Sequence, residues 1–398
     1  MPRILRIFNR LIIGGPSQNV SLLTKYLPTE YDTMLVIGTP DAHEKPADFL
    51  LNQLGIQAQI IPEMGREISL KDDLVAYNKI KSIIKQFKPD IVHTHTSKPG
   101  AIGRWAAANC KVPVVVHTFH GHVFHSYFSP LKTRMYIEIE RRLAQRSSKL
   151  IAISPIQKKE LVETYRIAPE NKVEVIPLGL DLDPFRTDNA AKRLSFRKEF
   201  GLADEEIVIG IIGRLAPIKN HRLFIDAVKF LQKASSRPVK AFIIGDGECR
   251  QELEYYCKNL HIGFSKPEAP DFDQPIIFTS WRTDIDTVNA GLDIIALTSL
   301  NEGTPVSIIE AQASAKPIVS TVCGGIRDVV MEGETALLSA LDNPSLFFDN
   351  LLMLVENDDL REKMSARGTN YAFSRFGYHR LVHETDMLYR KLLYNGTR

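Results

Sequence analysis

The chain has 398 residues, 44% of them apolar and 24% charged, ordinary proportions for a soluble globular protein and enough length for two domains. No apolar run approaches the roughly 18–20 residues of a membrane span. Arg6 and Arg10 break up the apolar start as no secretory signal would, and Cys110, Cys249, Cys257 and Cys323 have neither metal-ligand spacing nor a disulfide pattern, so the expected setting is the reducing cytoplasm. The net charge of +3 splits into +7 over residues 1–187 (25 Lys+Arg, 18 Asp+Glu) and −4 over the rest (25 and 29), which directs the first half toward an anionic surface, a membrane rather than nucleic acid because no basic-aromatic stripe is present.

In chain order, Ile4–Phe8 reads as a strand and Gly14-Gly15-Pro16-Ser17 as the crossover into a helix from about Gln18. Glycines there let backbone approach a phosphate or sugar, and also suit a plain tight turn. The spacing is not the dinucleotide fingerprint G-x-G-x-x-G, which argues against a dehydrogenase. Thr33–Ile37, Gln57–Ile61 and Asp90–His93 read as strands, Pro46–Leu54 and Leu70–Phe87 as helices, and the β-branched run Val112–His117 as a central strand. Such alternation predicts a doubly wound parallel sheet.

His93-Thr94-His95 and the group His117, His120, His122 and His125 lie at two strand ends facing one sheet edge. Successive strand residues point to opposite faces, so His-x-His supplies two co-facial ligands at best, and no cysteine or acid stands nearby to complete a zinc set. No metal is expected. The predicted helix Leu131–Lys149 carries Lys132, Arg134, Arg141, Arg142, Arg146 and Lys149 against Glu138 and Glu140, with Phe124, Tyr127 and Phe128 just ahead. The stretch 124–149 can rest on anionic lipid; a solvated charged face is the alternative. Leu150–Ile153 and Lys172–Ile176 read as the last strands of this half, and Pro177-Leu178-Gly179-Leu180-Asp181 with Pro184-Phe185 as a linker.

The second half opens with a helix near Lys192–Phe200 and the strand Ile207–Ile212. Arg214 and Lys219 follow it, ahead of a helix from about His221. Two cations at a strand's carboxyl end beside a helix N-terminus can grip a diphosphate. Strand Val239–Ile244 ends in Gly245-Asp246-Gly247-Glu248. The polar stretch His261–Asp273 reads as a surface insertion without catalytic value. Ile276–Thr279 is a strand leading to Ser280-Trp281-Arg282, and Asp284-Ile285-Asp286 opens a helix whose dipole those acids suit. Leu292–Leu297 is a buried parallel strand; Thr304-Pro305 reads as N-cap and first helical turn, and Lys316-Pro317 stops the helix before strand Ile318-Val319. Gly324-Gly325 opens another helix. From Asn343 the chain is helical.

Glu302 and Glu310 bracket that last loop-to-helix turn. A carboxylate on a small, apolar helix face is costly unless something donates hydrogen bonds to it. The paired hydroxyls of a ribose or hexose are suitable donors, and the amides of Gly303 and Thr304 suit an anion. The predicted ligand carries both hydroxyls and phosphates.

Glu302-x7-Glu310, enclosing Gly303-Thr304-Pro305, resembles the signature of the retaining GT-B glycosyltransferases of family four, the bacterial polysaccharide type, and the resemblance covers nearly the whole chain. It implies an α/β fold, GT-B: two Rossmann-like doubly wound parallel-sheet domains facing a cleft. The acceptor-side domain would span 1–180, with a C-terminal helix (about 376–398) packing back on it, and the nucleotide-sugar-binding domain 190–375. By the resemblance, Gly14 and Gly15 lie beside the donor phosphates. His120, in Thr118-Phe119-His120-Gly121, contacts the donor sugar or positions the acceptor, with His122 as the alternative and His95, Thr96 and Lys98 on the acceptor side. Leu178 replaces the usual asparagine of the interdomain hinge, and Ser280 a usual glycine. Arg214 and Lys219 stabilise the departing diphosphate where metal acts in other glycosyltransferases. Gly245 approaches the nucleotide and Arg282 stacks on the base. Glu302, with the backbone of Gly303, Thr304 and Pro305, holds the sugar or its phosphate, and Glu310 the ribose hydroxyls.

The implied activity is retaining, metal-independent transfer of a hexose-type sugar from a nucleotide-sugar donor, UDP-linked by the Thr304 variant of the signature, without a cofactor. The acceptor would be a glycan or a lipid-linked glycan in surface polysaccharide biosynthesis, at the inner face of the plasma membrane. No second carboxylate stands out as a covalent nucleophile, so same-face attack is the expected route. The alternatives are a nucleotide-sugar epimerase or hydrolase on the same fold, or a non-catalytic nucleotide-sugar-binding subunit.

Overall fold

A computed structural model describes residues 1–12, 14–41, 44, 46–65, 69–121 and 130–396. The chain divides into two compact units, Met1–Asp181 with the segment from Phe376 onward, and Leu182–Arg375.

The first unit alternates β1 (Arg3–Ile7), α1 (Gly15–Tyr26), β2 (Asp32–Ile37), α2 (Phe49–Leu54), β3 (Ala58–Ile60), α3 (Leu70–Phe87), β4 (Ile91–His95), α4 (Ser97–Asn109), β5 (Val114–Phe119), α5 (Pro130–Gln145), β6 (Lys149–Ala152), α6 (Pro155–Lys159) and β7 (Val173–Val175). All seven strands are parallel, in the order β3-β2-β1-β4-β5-β6-β7. The strand order reverses between β1 and β4, and ligands of such sheets gather outside the carboxyl ends at that reversal. Burial on both faces explains why β4 and β5 read as continuous runs rather than alternating ones. Helix α3 packs through Ala76, Ile80, Ile83 and Ile84 at three- and four-residue spacing, and Ser69 caps it by accepting from the Asp72 amide at 3.4 Å.

The second unit contains α7 (Asn189–Glu199), β8 (Ile207–Ile212), α8 (His221–Ala234), β9 (Val239–Ile244), α9 (Arg250–Asn259), β10 (Phe264–Ser265), β11 (Ile276–Ser280), α10 (Ile285–Gly291), β12 (Ile294–Leu297), α11 (Val306–Ala313), β13 (Ile318–Thr321), α12 (Ile326–Val329), β14 (Ala336–Ser339), α13 (Pro344–Glu356) and α14 (Asp358–Phe376). Its sheet is again parallel throughout, ordered β10-β11-β9-β8-β12-β13-β14, with the reversal between β8 and β12. The core under it joins Ile209, Phe224, Val228, Phe278, Phe347 and Leu351.

The final helix, α15 (Tyr378–Gly396), belongs to the first unit, where Leu381, Leu388 and Tyr389 pack on Ile4, Leu23, Ile91 and Val114. The chain leaves and re-enters this unit at one place: Leu180 donates to the Phe376 carbonyl at 2.8 Å and Tyr378 to the Leu180 carbonyl at 3.0 Å. A methyl at Gly179 would meet the Leu381 side chain at 2.5 Å, so this position needs glycine. Leu178 is buried, which accounts for an apolar residue there.

Several elements differ from the sequence reading. Helix α1 starts at Gly15, with Pro16 in its first turn, rather than near Gln18. Pro305, not Thr304, is the N-cap of α11, and no side chain caps it. Asp284 occupies the N-cap position of α10, but its carboxylate turns to Arg282 instead of the helix amides. The stretch 261–273 contributes the edge strand β10. None of the described helices is long and apolar enough to cross a membrane.

Candidate active site

The loops after β8, β9, β12 and β13 build one edge of the second unit. Gly213 donates to Ile244 and Leu215 to Asp246, both at 2.9 Å, so the Gly213-Arg214-Leu215 and Gly245-Asp246-Gly247 turns lie back to back. At Gly245, φ is +134° and a methyl would run into the Gly213 carbonyl, so only glycine fits. The Asp246 carboxylate accepts from Ser280 Oγ (2.7 Å), the Gly247 amide (2.8 Å) and Arg250 (3.0 Å). Burial works against its ionisation, but these bonds outweigh it and hold the carboxyl below the ordinary aspartate range. Ser280 has φ 59°, a conformation that suits glycine, and its hydroxyl bond to Asp246 is what the serine gains in exchange. Arg250 also bonds Glu268 at 2.7 Å, so the 261–273 stretch is tied to this turn rather than idle on the surface.

Lys219 Nζ stands 2.6 Å from Glu302 Oε1, which also accepts from Ser299 Oγ at 2.5 Å. Their side chains are 25% and 11% exposed. Thr298 Oγ1 donates to the Lys219 carbonyl at 2.9 Å and Leu300 to the Ile218 carbonyl at 2.8 Å, fastening the loop after β8 to the loop after β12. Methyls at Gly324 and Gly325 would strike the carbonyls of Glu302 and Gly303, and the Gly325 amide donates to Glu302 at 3.0 Å. Neighbouring loops therefore hold Glu302 from several sides, while nothing stands within 4 Å of a methyl built on Gly303. Among the described residues, no acceptor meets the amides of Gly303, Thr304, Val306 or Ser307. These donors gather at the positive end of α11.

Glu310 sits just past the first turn of α11. Its side chain remains partly open to solvent, but burial of the carboxyl, with no cation to offset it, pushes it up to about 8. The Arg214 side chain is 63% exposed and among the described residues pairs with Glu248 alone, at 3.6 Å, so its guanidinium is available to an anion. Cys323 lies close by, but burial and then Glu302 push its thiol up to about 11, leaving it unreactive.

Arg282 requires correction. Its guanidinium is shared between Glu199 (2.5 and 3.0 Å) and Asp284 (2.8 and 2.7 Å), and those hydrogen bonds raise its pKa further. It is a strut between α7 and α10, not a free plane for a nucleobase.

The carboxyl edge of the first unit has a different chemistry. His93, His95 and His117 are fully buried. The His95 ring lies between His93 (centroids 4.2 Å apart) and His120 (5.3 Å), and His95 Nδ1 is 3.0 Å from His120 Nε2. Burial lowers all four histidines, His120 to about 4, so the column is neutral at ordinary pH. His95 Nε2, Thr96 Oγ1 and His120 Nδ1 are buried without a partner. Thr96, at φ 63°, is strained, and backbone strain of this kind concentrates at functional sites. Lys98 stands 2.6 Å from Asp73 on α3, an ion pair that ties α4 to α3. Methyls at Gly100 and Gly103 would meet His117 at 2.5 Å and Thr94 at 2.7 Å, so α4 presses directly on the column.

Gly14 caps α1 at φ 153° with open space around it, and Gly15, buried, is the first residue of the helix. His122, His125 and the 124–129 part of the membrane-facing stretch lie outside the described residues. On α5, Leu131, Met135 and Ile139 are 81%, 51% and 40% exposed at four-residue spacing. Arg141 and Lys149 bond carbonyls of neighbouring segments, which removes them from the basic face, and Arg146 covers Trp105. No group of three His, Cys, Asp or Glu among the described residues is placed to share a metal.

Residues 13–184 match the family model described as Glycosyltransferase Family 4, and residues 192–371 that described as Glycosyl transferases group 1. The chain is 32% identical to the Escherichia coli UDP-Gal:alpha-D-GlcNAc-diphosphoundecaprenol alpha-1,3-galactosyltransferase, over 85% of both proteins. It is 25% identical to the Staphylococcus aureus capsular polysaccharide biosynthesis glycosyltransferase CapM, over 84% of this chain and 85% of that one. Among solved structures, Anabaena Alr3699/HepE in complex with UDP superposes with a TM-score of 0.80 at 20% identity, covering 98% of this chain and 100% of that one. A glycosyltransferase from Rickettsia africae gives 0.79 at 21% identity over 99% of each.

Proposed function

The chain belongs to the GT-B glycosyltransferases of family four, and from that premise we propose that it transfers a hexose from a UDP-linked donor to a lipid-linked glycan, with retention and without metal, in the assembly of a surface polysaccharide. The observation that carries the donor half is the Lys219–Glu302 contact beneath the unpaired amides of Gly303, Thr304, Val306 and Ser307. An arriving diphosphate accepts from those amides and from Lys219 and Arg214. The ribose diol donates to Glu310, which is mostly protonated when empty and ionises as the diol binds. Glu302, released from Lys219, turns to the sugar.

In the transfer step the bond from C1 of the sugar to the diphosphate oxygen breaks, and a bond to the acceptor oxygen forms on the same face. The acceptor proton passes to the departing diphosphate oxygen. Charge grows on that diphosphate, and Arg214, Lys219 and the helix-end amides are the groups that stabilise it, the task a divalent cation performs elsewhere. His120, neutral and at the carboxyl edge of the other sheet, positions the acceptor hydroxyl. The exposed apolar stripe of α5 beside Lys132 and Arg134 supports docking on an anionic membrane, where a lipid-linked acceptor resides.

The name of the Escherichia coli relative makes UDP-galactose and N-acetylglucosaminyl-diphosphoundecaprenol the first pair to test. The expected result is a disaccharide product whose proton NMR shows the donor's anomeric configuration kept. An inverted linkage rejects same-face attack. Donor turnover that ignores the acceptor identifies an epimerase or hydrolase, and donor binding without turnover a non-catalytic subunit.

A further inference from the structure

Arg6 is fully buried on β1, and among the described residues no carboxylate lies within ion-pair distance of it. One guanidinium nitrogen donates to Thr24 Oγ1 at 3.1 Å and another to the Tyr389 hydroxyl at 3.3 Å, while Nε has no partner. A buried cation without an anion is costly, so something in the fold must gain by its presence.

The Tyr389 hydroxyl, on α15, lies 2.5 Å from His93 Nδ1, and His93 Nε2 lies 2.7 Å from Thr118 Oγ1. Arginine can only donate, so the tyrosine oxygen accepts from it; among the described residues His93 Nδ1 is the other partner of that hydroxyl, and a buried O–H without an acceptor is costly, so the phenolic proton points to His93. His93 Nδ1 is therefore bare, and its single proton sits on Nε2, donated to Thr118. The imidazole is held in one neutral tautomer. His95 stacks on that ring, and His120 hydrogen-bonds to His95.

We infer that Tyr389, seated by Arg6, is a positioning residue for the transfer reaction: it locks His93 in its Nε2–H form, and the stack built on that ring holds His95 and His120 in place at the sheet edge. The inference rests on the reading of His120 as the residue facing the acceptor. It assigns the last helix of the chain, far from the site in sequence, a part in setting the site's geometry.

The electrostatics agree. Burial, then Arg6, then His120 keep His93 neutral. The titratable and charged groups around the column are Arg6 from β1, Tyr389 from α15, His95 from β4, His117 from β5, His120 beyond it and Arg104 from α4. Glu140 is taken by Arg104 at 2.7 Å, and Asp386 on α15 accepts from Tyr31 at 2.7 Å and from Arg390 at 3.0 Å. Among the described residues, no acid is left to hold a proton on the histidines.

The test uses the full chain labelled with 15N-histidine, with His93 assigned through His93→Gln. In the wild type the His93 nitrogens should report one Nε2–H tautomer from pH 8 to pH 5. In Tyr389→Phe, which removes a single oxygen, His93 should populate both tautomers or titrate in that range. With it, kcat at pH 6 should fall about tenfold, while KM for the donor stays within twofold because Arg6, Tyr389 and His93 lie in the other unit. Arg6→Met should shift the acid limb of the kcat profile in the same direction. A Tyr389→Phe variant with wild-type His93 signals or wild-type kcat overturns the inference. Full activity in His120→Ala overturns the underlying reading of His120 instead, and the His93 spectrum, recorded without substrate, tells the two failures apart.

Discussion

The two units use one architecture and load its carboxyl edge with opposite chemistry. In the second unit the edge is made of ionised pairs, glycines and unpaired amides: Lys219 on Glu302, Arg250 on Asp246, and the free donors ahead of α11. In the first it is a column of imidazoles and hydroxyls, all neutral, with Arg6 a buried charge behind it whose partners among the described residues are hydroxyls. A diphosphate calls for the first kind of surface and a reacting hydroxyl for the second. The fold supplies the edge, and the residues at the strand ends decide what it binds.

The largest break in that comparison is to discharge the second unit. Lys219→Met should lower kcat/KM about 10²–10³-fold, the usual cost of one preorganised donor on a developing anion, and it leaves the Glu302 carboxylate with Ser299 as its partner among the described residues. Steady-state kinetics at saturating acceptor measures it. His120→Ala should affect the other edge alone, lowering kcat about 10–100-fold while calorimetry finds UDP affinity within twofold of wild type.

Stability against pH separates the units further. A histidine depressed on folding binds protons more readily when unfolded, so it adds nothing above its ordinary pKa and loses stability as pH falls from about 6.5 toward about 4. For His120 alone that amounts to about 3 kcal/mol. Among the described residues the first unit holds four such histidines and the second one, His221, also lowered to about 4 by burial and then Lys219. Glu310 behaves in the opposite sense: raised to about 8, it binds its proton more readily when folded, so it costs stability as pH rises from about 4.5 to 8. Hydrogen exchange at pH 5 should therefore show the amides of β4 and β5 losing protection before those of β8 and β12. Glu310 also sets the sense of donor binding: UDP uptake should release close to one proton at pH 7 and tighten as pH rises to 8, an effect absent in Glu310→Gln. The smallest effect is expected at Ser280→Gly, where relief of φ 59° and loss of the bond to Asp246 oppose each other, leaving a change in thermal stability within about 1 kcal/mol.

Elements with an unbroken β-branched run or a clear helical period are legible in the sequence: strands Ile207–Ile212 and Val239–Ile244 and the helix Leu70–Phe87 stand where periodicity places them. Helix α4 is not, because Pro99, Gly100 and Gly103 mimic a loop, and those glycines exist to let α4 touch His117 and Thr94. Strands β10 and β14 are short edges whose few residues carry no period. The signature acids Glu302 and Glu310 and the cations Arg214 and Lys219 stand out through local spacing and resemblance, and the fold does bring Lys219 against Glu302. Arg282 misleads because its partner Glu199 lies 83 positions away, and a side chain's availability depends on neighbours the sequence does not order in space. The brace on His93 is out of reach for the same reason, since Tyr389 is 296 positions from the ring it holds.

Donor recognition is decided by where a nucleotide settles in the second unit, and a crystal structure of the chain with UDP tests that most directly. The diphosphate should lie within hydrogen-bond reach of the Gly303 and Thr304 amides, with Lys219 drawn off Glu302 toward it, Arg214 on its outer side and the ribose hydroxyls on Glu310. UDP bound with its diphosphate away from these groups, and the Lys219–Glu302 pair intact, would contradict it.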